Sequence, residues 1–195
     1  MEGAGRVEGV EGKGTITQPS TPSILSSPPN PIPVDPTLVA QELGFALLVL
    51  AVVLFWYCTG GAWMLLVAGY PVHRLVGADE FAPFHRAFGR RLVAAFVVPG
   101  FVAYALSFVL VYLRFVWDEP FGASRLLALA VAGCSAVNLA VSLLYVRPQR
   151  RALAREGKSE AGIRAIERAH LVRTLAWTAG SVMLLYMTVQ AIGLT

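Results

Sequence analysis

The sequence predicts an all-α membrane protein, a bundle of four transmembrane helices behind a disordered N-terminal tail. Three observations carry this prediction. Hydrophobic residues make up 56% of the 195-residue chain and charged residues only 14%, against roughly 25% charge in a soluble domain. Mean hydropathy is +0.62. The apolar residues also fall into four long blocks instead of being scattered, a pattern for which water is not the solvent.

Residues 1–37 differ from the rest. They are rich in Gly, Ser, Thr and Pro, as in Ser26-Ser27-Pro28-Pro29-Asn30-Pro31, and their few apolar residues have no period. Such a segment buries too little surface to offset its conformational entropy, so it is expected to be disordered and partly polyproline-like. It has no basic start followed by an apolar run, as a signal peptide would.

The first span is expected over residues 38–70. Thirty-three residues make a helix of about 50 Å, longer than the roughly 30 Å hydrocarbon core. The helix must therefore tilt, project or break. Thr59-Gly60-Gly61 is the expected weak point, because glycine costs a helix about 1 kcal/mol, and Pro71 marks the expected end. Span two covers residues 91–115, with a kink at Pro99-Gly100. Span three covers 126–146 and is expected to end at Arg147-Pro148. The connector 147–170 reads as amphipathic in its second half, where Ile163 and Ile166 share a face and Glu160 precedes Arg164 by four residues. It is expected to run on into span four, residues 171–193.

Charge sets the orientation. Twelve of the 16 Lys and Arg lie either between spans one and two or between span three and the start of span four. That side is expected to be cytoplasmic. The predicted location is thus the cell membrane, crossed several times, with both termini on the non-cytoplasmic side. Arg6, Lys13, Arg114 and Arg125 fall on that outer side. Trp56, Trp63, Tyr70, Trp117 and Tyr145 are candidate interface anchors. The net charge of +4 resides in loops beside apolar spans, where it meets lipid headgroups. With no independent basic domain, nucleic acid is not an expected partner.

Without a hydrophobic drive between helices in lipid, small residues must let backbones approach. Ala128, Ala132, Ala136 and Ala140 form such a ridge on span three, beside a stripe of Ala130, Cys134, Asn138 and Ser142. The ridge is a candidate dimer contact. Span two offers Gly100, Ala103 and Ser107, and span four Thr174, Thr178 and Ser181. Asn138 needs a partner in mid-span; an interhelical bond to span four or to the carbonyl freed by Pro99 is expected, with ligand contact as the alternative. Cys58 and Cys134 read as packed free thiols.

No strong catalytic motif is present: no GxSxG, HExxH, Walker loop or dinucleotide fingerprint. Three weaker constellations remain. His73, His85 and His170 all fall on the basic side. His85 and His170 sit at the starts of spans two and four, where they could hold a metal or haem or meet a quinone headgroup, with Asp79 and Glu80 the nearest supplement. They read first as interfacial polar residues, so no metal site is assigned and no cofactor is called for. Glu42 lies near the outer end of span one, where Arg114 or Arg125 could pair with it. Arg86, Arg90, Arg91 and Arg168, with Arg173, could bind headgroup phosphates.

The run His170-Leu171-Val172-Arg173-Thr174-Leu175-Ala176-Trp177-Thr178 resembles a pattern in small four-helix bacterial membrane proteins of the anthrone-oxygenase-like family. There, a similar Asn-x-x-Arg-Thr run opens the last span. The order of parts over roughly residues 40–193 is similar too: a long first span, an Arg-rich start to span two, and a Pro- and Arg-rich connection before span four. His170 stands where that family has asparagine. The Asn-x-Pro-x-Asn segment common after span three is absent, Arg147-Pro148-Gln149 being the nearest counterpart. The resemblance implies architecture first; a shared site would comprise Arg173 and Trp177, with His170 as the altered position.

The leading functional expectation is therefore a small multi-pass protein of structural or accessory kind, binding lipid, a second copy or another membrane protein. The alternative is an oxygenase or redox enzyme acting on a lipophilic molecule at the cytoplasmic face through His85, His170 and Arg173. Transport of a small solute ranks third, because four helices leave little room for a path.

Overall fold

In the computed structural model, residues 35–116 and 124–193 are described. The expected tail up to residue 34, and Trp117, lie outside the described residues. The described chain is all-helical. Three of its helices, Thr37–Leu75, Ala78–Val116 and Arg125–Glu156, are long and apolar enough to cross a membrane.

The helical segments make four rods. The first comprises α1 (Pro36–Met64), a π-helical turn (Leu65–Gly69) and α2 (Tyr70–Leu75). The second comprises α3 (Ala78–Leu92), a π-helical turn (Val93–Val97) and α4 (Val98–Val116). The third comprises α5 (Arg125–Ala140), a π-helical turn (Val141–Val146) and α6 (Arg147–Glu156). The fourth is α7 alone (Glu160–Ala191). Packing closes in a ring: α1 on α4 and α7, and α5 on the same two helices.

Local chemistry explains the ends. Asp35 caps α1, its carboxylate accepting from the Thr37 amide at 2.9 Å, with Pro36 in the first turn where no N–H is missed. Ser159 caps α7 by accepting from the Gly162 amide at 3.3 Å. Between α6 and α7, Gly157 takes φ +89°, a left-handed conformation open to glycine. Lys158 Nζ donates to the carbonyls of Arg74 at 2.7 Å and Val76 at 2.9 Å, satisfying carbonyls at the end of α2.

The prolines do not end the helices as expected. Helix continues past Pro71 to Leu75 and past Pro148 to Glu156. Each of these prolines, and Pro99, follows a π-helical turn by two residues. The residue just before each proline closes the wide ring: the N–H of Tyr70 bonds the Leu65 carbonyl, that of Val98 bonds Val93, and that of Arg147 bonds Ser142. A proline ring collides with the carbonyl four residues back and offers it no N–H; widening the turn to π moves that carbonyl aside. The Gly60-Gly61 pair, by contrast, lies in unbroken α1. Gly61 is there for close approach: a Cβ on it would fall 1.7 Å from the Phe96 ring.

The main core holds Leu48, Ala51 and Phe55 of α1, Ala103 and Leu110 of α4, Ala128 and Val131 of α5, and Trp177, Leu184 and Met187 of α7. Gly100, Ala103 and Ser107 are buried as their spacing predicts. The alanine ridge is not buried along its length: Ala128 and Ala132 are, whereas Ala136 and Ala140 face outward. The buried face instead turns through Val131, Ser135 and Asn138, following a 3.6-residue period that a strict four-residue spacing leaves behind. Two hydroxyl pairs join rods inside the core, Thr59–Ser181 and Ser107–Ser135, both 2.8 Å. Asn138 bonds within its own helix, donating to the Cys134 carbonyl at 3.1 Å. The Ala95 carbonyl, which Pro99 cannot serve, accepts instead from the Tyr57 hydroxyl at 2.8 Å. A smaller core of Tyr70, Phe81, Leu153, Ile163 and Ile166 packs the arginine-rich end, where Arg74 also pairs with Glu167.

Gly180 and Gly60 separate close packing from helix propensity. A Cβ on Gly180 would lie 2.7 Å from the ring of fully buried Phe55, whereas one on Gly60 meets nothing within 4 Å. Gly180→Ala is expected to lower stability in detergent by about 1–3 kcal/mol, and Gly60→Ala to raise it by up to about 1 kcal/mol, both read by denaturant unfolding.

Candidate functional site

A cavity of about 530 Å³ opens at the arginine-rich end and runs down between the rods, within the size range of small-molecule sites. Its floor is Trp177, with Tyr104, Cys58 and Gly100. Trp177 is buried, stacked on Tyr104 with ring centroids 5.1 Å apart and edge-on to Phe55 at 4.9 Å. The walls are apolar, among them Leu65, Val93, Phe96, Leu139 and Val146. Residues from all three π-helical turns line it. The wider turns in three rods thus surround one space.

The polar groups collect at one end. Arg86, Arg147, Arg150, Arg151 and Arg173 line the cavity with His85 and His170, and none of its lining residues is acidic. Arg150 Nη2 and Arg173 Nε are buried without a hydrogen-bond partner, as are Nδ1 of His85 and Nδ1 of His170. The Tyr104 hydroxyl faces the Arg173 guanidinium. A guanidinium can only donate, and a buried one lacking a counter-charge is destabilising. His170 Nε2 lies 3.0 Å from the Ala62 carbonyl and donates to it. In a neutral ring that leaves Nδ1 as a lone-pair acceptor. The cavity therefore combines apolar walls, two strong donors and an imidazole acceptor.

Of the residues marked from sequence, His85, His170, Arg173, Trp177 and Arg86 meet around this one cavity. Arg90, Arg91 and Arg168 are exposed and line no part of it. Asn138 and Thr178 are also outside its lining; Thr178 accepts from Trp63 Nε1 at 3.1 Å and bonds the Thr174 carbonyl. Tyr70, expected as an interface anchor, is buried against His170 with centroids 4.9 Å apart. His73 donates from Nδ1 to the Gly69 carbonyl at 3.0 Å and sits 5.5 Å from the His85 ring among Phe81, Phe84 and Phe88. Asp79, Glu80 and Glu42 are exposed. Among the described residues no group of three His, Cys, Asp or Glu gathers to hold a metal ion.

Arg150, Tyr104 and Phe96 carry no sequence signal that singles them out. Arg150 reaches the cavity because helix continues through Pro148, keeping Leu139, Leu143, Val146 and Arg150 on one face at three- and four-residue steps.

An unpaired buried guanidinium that serves binding should weaken the fold. Arg150→Met is expected to stabilise the ligand-free protein by about 1–4 kcal/mol, measured by thermal unfolding in detergent after exhaustive washing. An unchanged or lowered midpoint would mean that Arg150 is already paid for within the protein. Compared with family models, with characterised proteins and with solved structures, the chain finds no match.

Proposed function

We propose that this protein crosses the cell membrane four times, with both termini on the non-cytoplasmic side, and holds a lipophilic anion in the cavity at its cytoplasmic end. The distribution of side chains supports the bilayer as solvent. All four rods expose large apolar residues, such as Val53, Phe101, Leu144 and Leu175, at 52–78%, while Thr59, Ser107, Ser135 and Ser181 are buried. Polar groups inside and apolar groups outside is the arrangement helices adopt in lipid. The fourth rod follows the rule from Leu171 on, with Leu175, Val182 and Leu185 outward. Its charged start joins the other basic segments at one end, which sets orientation.

One observation carries the binding reading: an apolar cavity ends in Arg150 and Arg173, where Arg150 Nη2 and Arg173 Nε have no protein partner and no lining residue is acidic. An anionic head with an apolar body satisfies both halves at once. A second reading, an enzyme that transforms the same ligand, is favoured by the free ring nitrogens of His85 and His170 beside Arg173, which are placed to accept or relay a proton.

Two measurements test this. Thr195→Cys is expected to react with an impermeant maleimide from outside intact cells and Arg155→Cys only after permeabilisation; the reverse pattern would overturn the orientation. Native mass spectrometry of protein purified from its own membrane is expected to retain an acidic lipophilic adduct that Arg150→Gln and Arg173→Gln lose. Identical spectra for all three would remove the binding reading. The enzyme reading expects His170→Ala to keep the adduct while halting its conversion.

A further inference from the structure

The second and third rods meet at two levels. α4 packs on α5, and α3 packs on α6 at the arginine-rich end. No comparable packing joins the π-helical turns that lie between, Val93–Val97 and Val141–Val146. Val93, Val97, Phe101 and Leu143, from the two rods beside this gap, line the cavity and are 39–52% exposed. The cavity therefore extends to the gap between these two rods.

Size and chemistry restrict what fits. About 530 Å³ holds about 18 groups of roughly 30 Å³, the share of one water in the liquid. That is room for one chain with its head. At the head end, Arg150 and Arg173 offer only donors, while His170 Nδ1 offers a lone pair when Nε2 serves the Ala62 carbonyl. A group that completes all three must bring anionic oxygens and an O–H together. A carboxylate brings only acceptors. A phosphate monoester, whose second pKa is about 6, still carries some O–H near neutral pH.

Resting on the cavity as a ligand site, we infer that the gap between the second and third rods is a lateral portal through which a single-chain phosphate monoester amphiphile slides from the adjoining leaflet. Its phosphate comes to lie on Arg150, Arg173 and His170. Its chain lies against the π-helical turns and reaches toward Trp177. Pro99 and Pro148 keep the two turns beside the gap wide and so hold the portal open.

Trp177 at the floor supplies the readout. The full chain is placed in nanodiscs of neutral phosphatidylcholine and titrated with chain-brominated alkyl phosphate, with the carboxylate and the alcohol of the same chain as comparators. The signal is the quenching that Trp177→Phe removes, which subtracts the exposed tryptophans. The phosphate is expected to act at concentrations at least about tenfold below the alcohol, and Arg150→Gln to erase that preference, the loss of one charge-assisted hydrogen bond. Val97→Phe, and independently Leu143→Phe, are expected to slow the onset several-fold. Circular dichroism and size exclusion confirm that each variant is folded.

Equal quenching by phosphate and alcohol would overturn the phosphate head while leaving a lipophile cavity in place. Equal quenching by phosphate and carboxylate would overturn the role of the O–H. Competition by millimolar inorganic phosphate would assign the site to a free water-soluble phosphate. An unchanged onset in both phenylalanine variants would overturn the lateral route. No Trp177-dependent quenching by any probe would remove the inference and the binding reading together.

Discussion

A proline inside a long apolar helix strips one carbonyl of its donor and places a ring where that carbonyl should lie. The helix adjusts by widening the turn that precedes the proline. Here the first three rods make the same adjustment: a π-helical turn ending two residues before Pro71, Pro99 and Pro148. Much of the rest depends on it. The helices continue where a break would otherwise fall, so α2, α3 and α6 carry the arginines and histidines as extensions of the rods. The freed Ala95 carbonyl is met by Tyr57, and the Ala62 carbonyl beside the first π turn is met by His170. The wide turns lie at one level and leave a cavity between them.

That cavity has a consequence for charge. Twelve basic residues gather at one end of the molecule, and most are solvated or paired, as Arg74 is with Glu167. Arg150 and Arg173 differ, because the helices carry them inward to a place with no acid among the lining residues. A fold that only needed orientation signals would leave such side chains in water, where they are cheap to solvate. Leaving Arg150 Nη2 and Arg173 Nε without a partner fits the proposal that the cavity takes an anion carried on an apolar body.

The helical class and the approximate rods were legible in the sequence, because 20-residue apolar blocks and glycine- and proline-marked ends depend only on local composition. Burial of Gly100, Ala103 and Ser107, and of Ile163 and Ile166, followed from spacing alone. Five residues singled out from the sequence, His85, Arg86, His170, Arg173 and Trp177, line the cavity, being unusual side chains beside apolar runs. Among the expectations that failed were those in which proline was read as a stop. They hid Arg150, which belongs to the face of Leu143 and Val146 only if the helix runs on. Separately, Asn138, expected to bond span four or the carbonyl freed by Pro99, bonds within its own helix, and that Ala95 carbonyl is met by Tyr57.

The sequence by itself therefore determined that the chain carries long apolar helical segments and that its positive charge lies toward one end; three of the described helices are long and apolar enough to cross a membrane. These are properties of segments and sum along the chain. Tertiary structure alone decided that three π turns fall at one level, that Arg150 and Arg173 turn inward toward the same two histidines, and that a gap remains between the second and third rods. Those facts depend on the axial register and rotation of one rod against another. Register is set by which small residues let which backbones approach, as Gly61 does for Phe96 and Gly180 for Phe55, and no single segment encodes it.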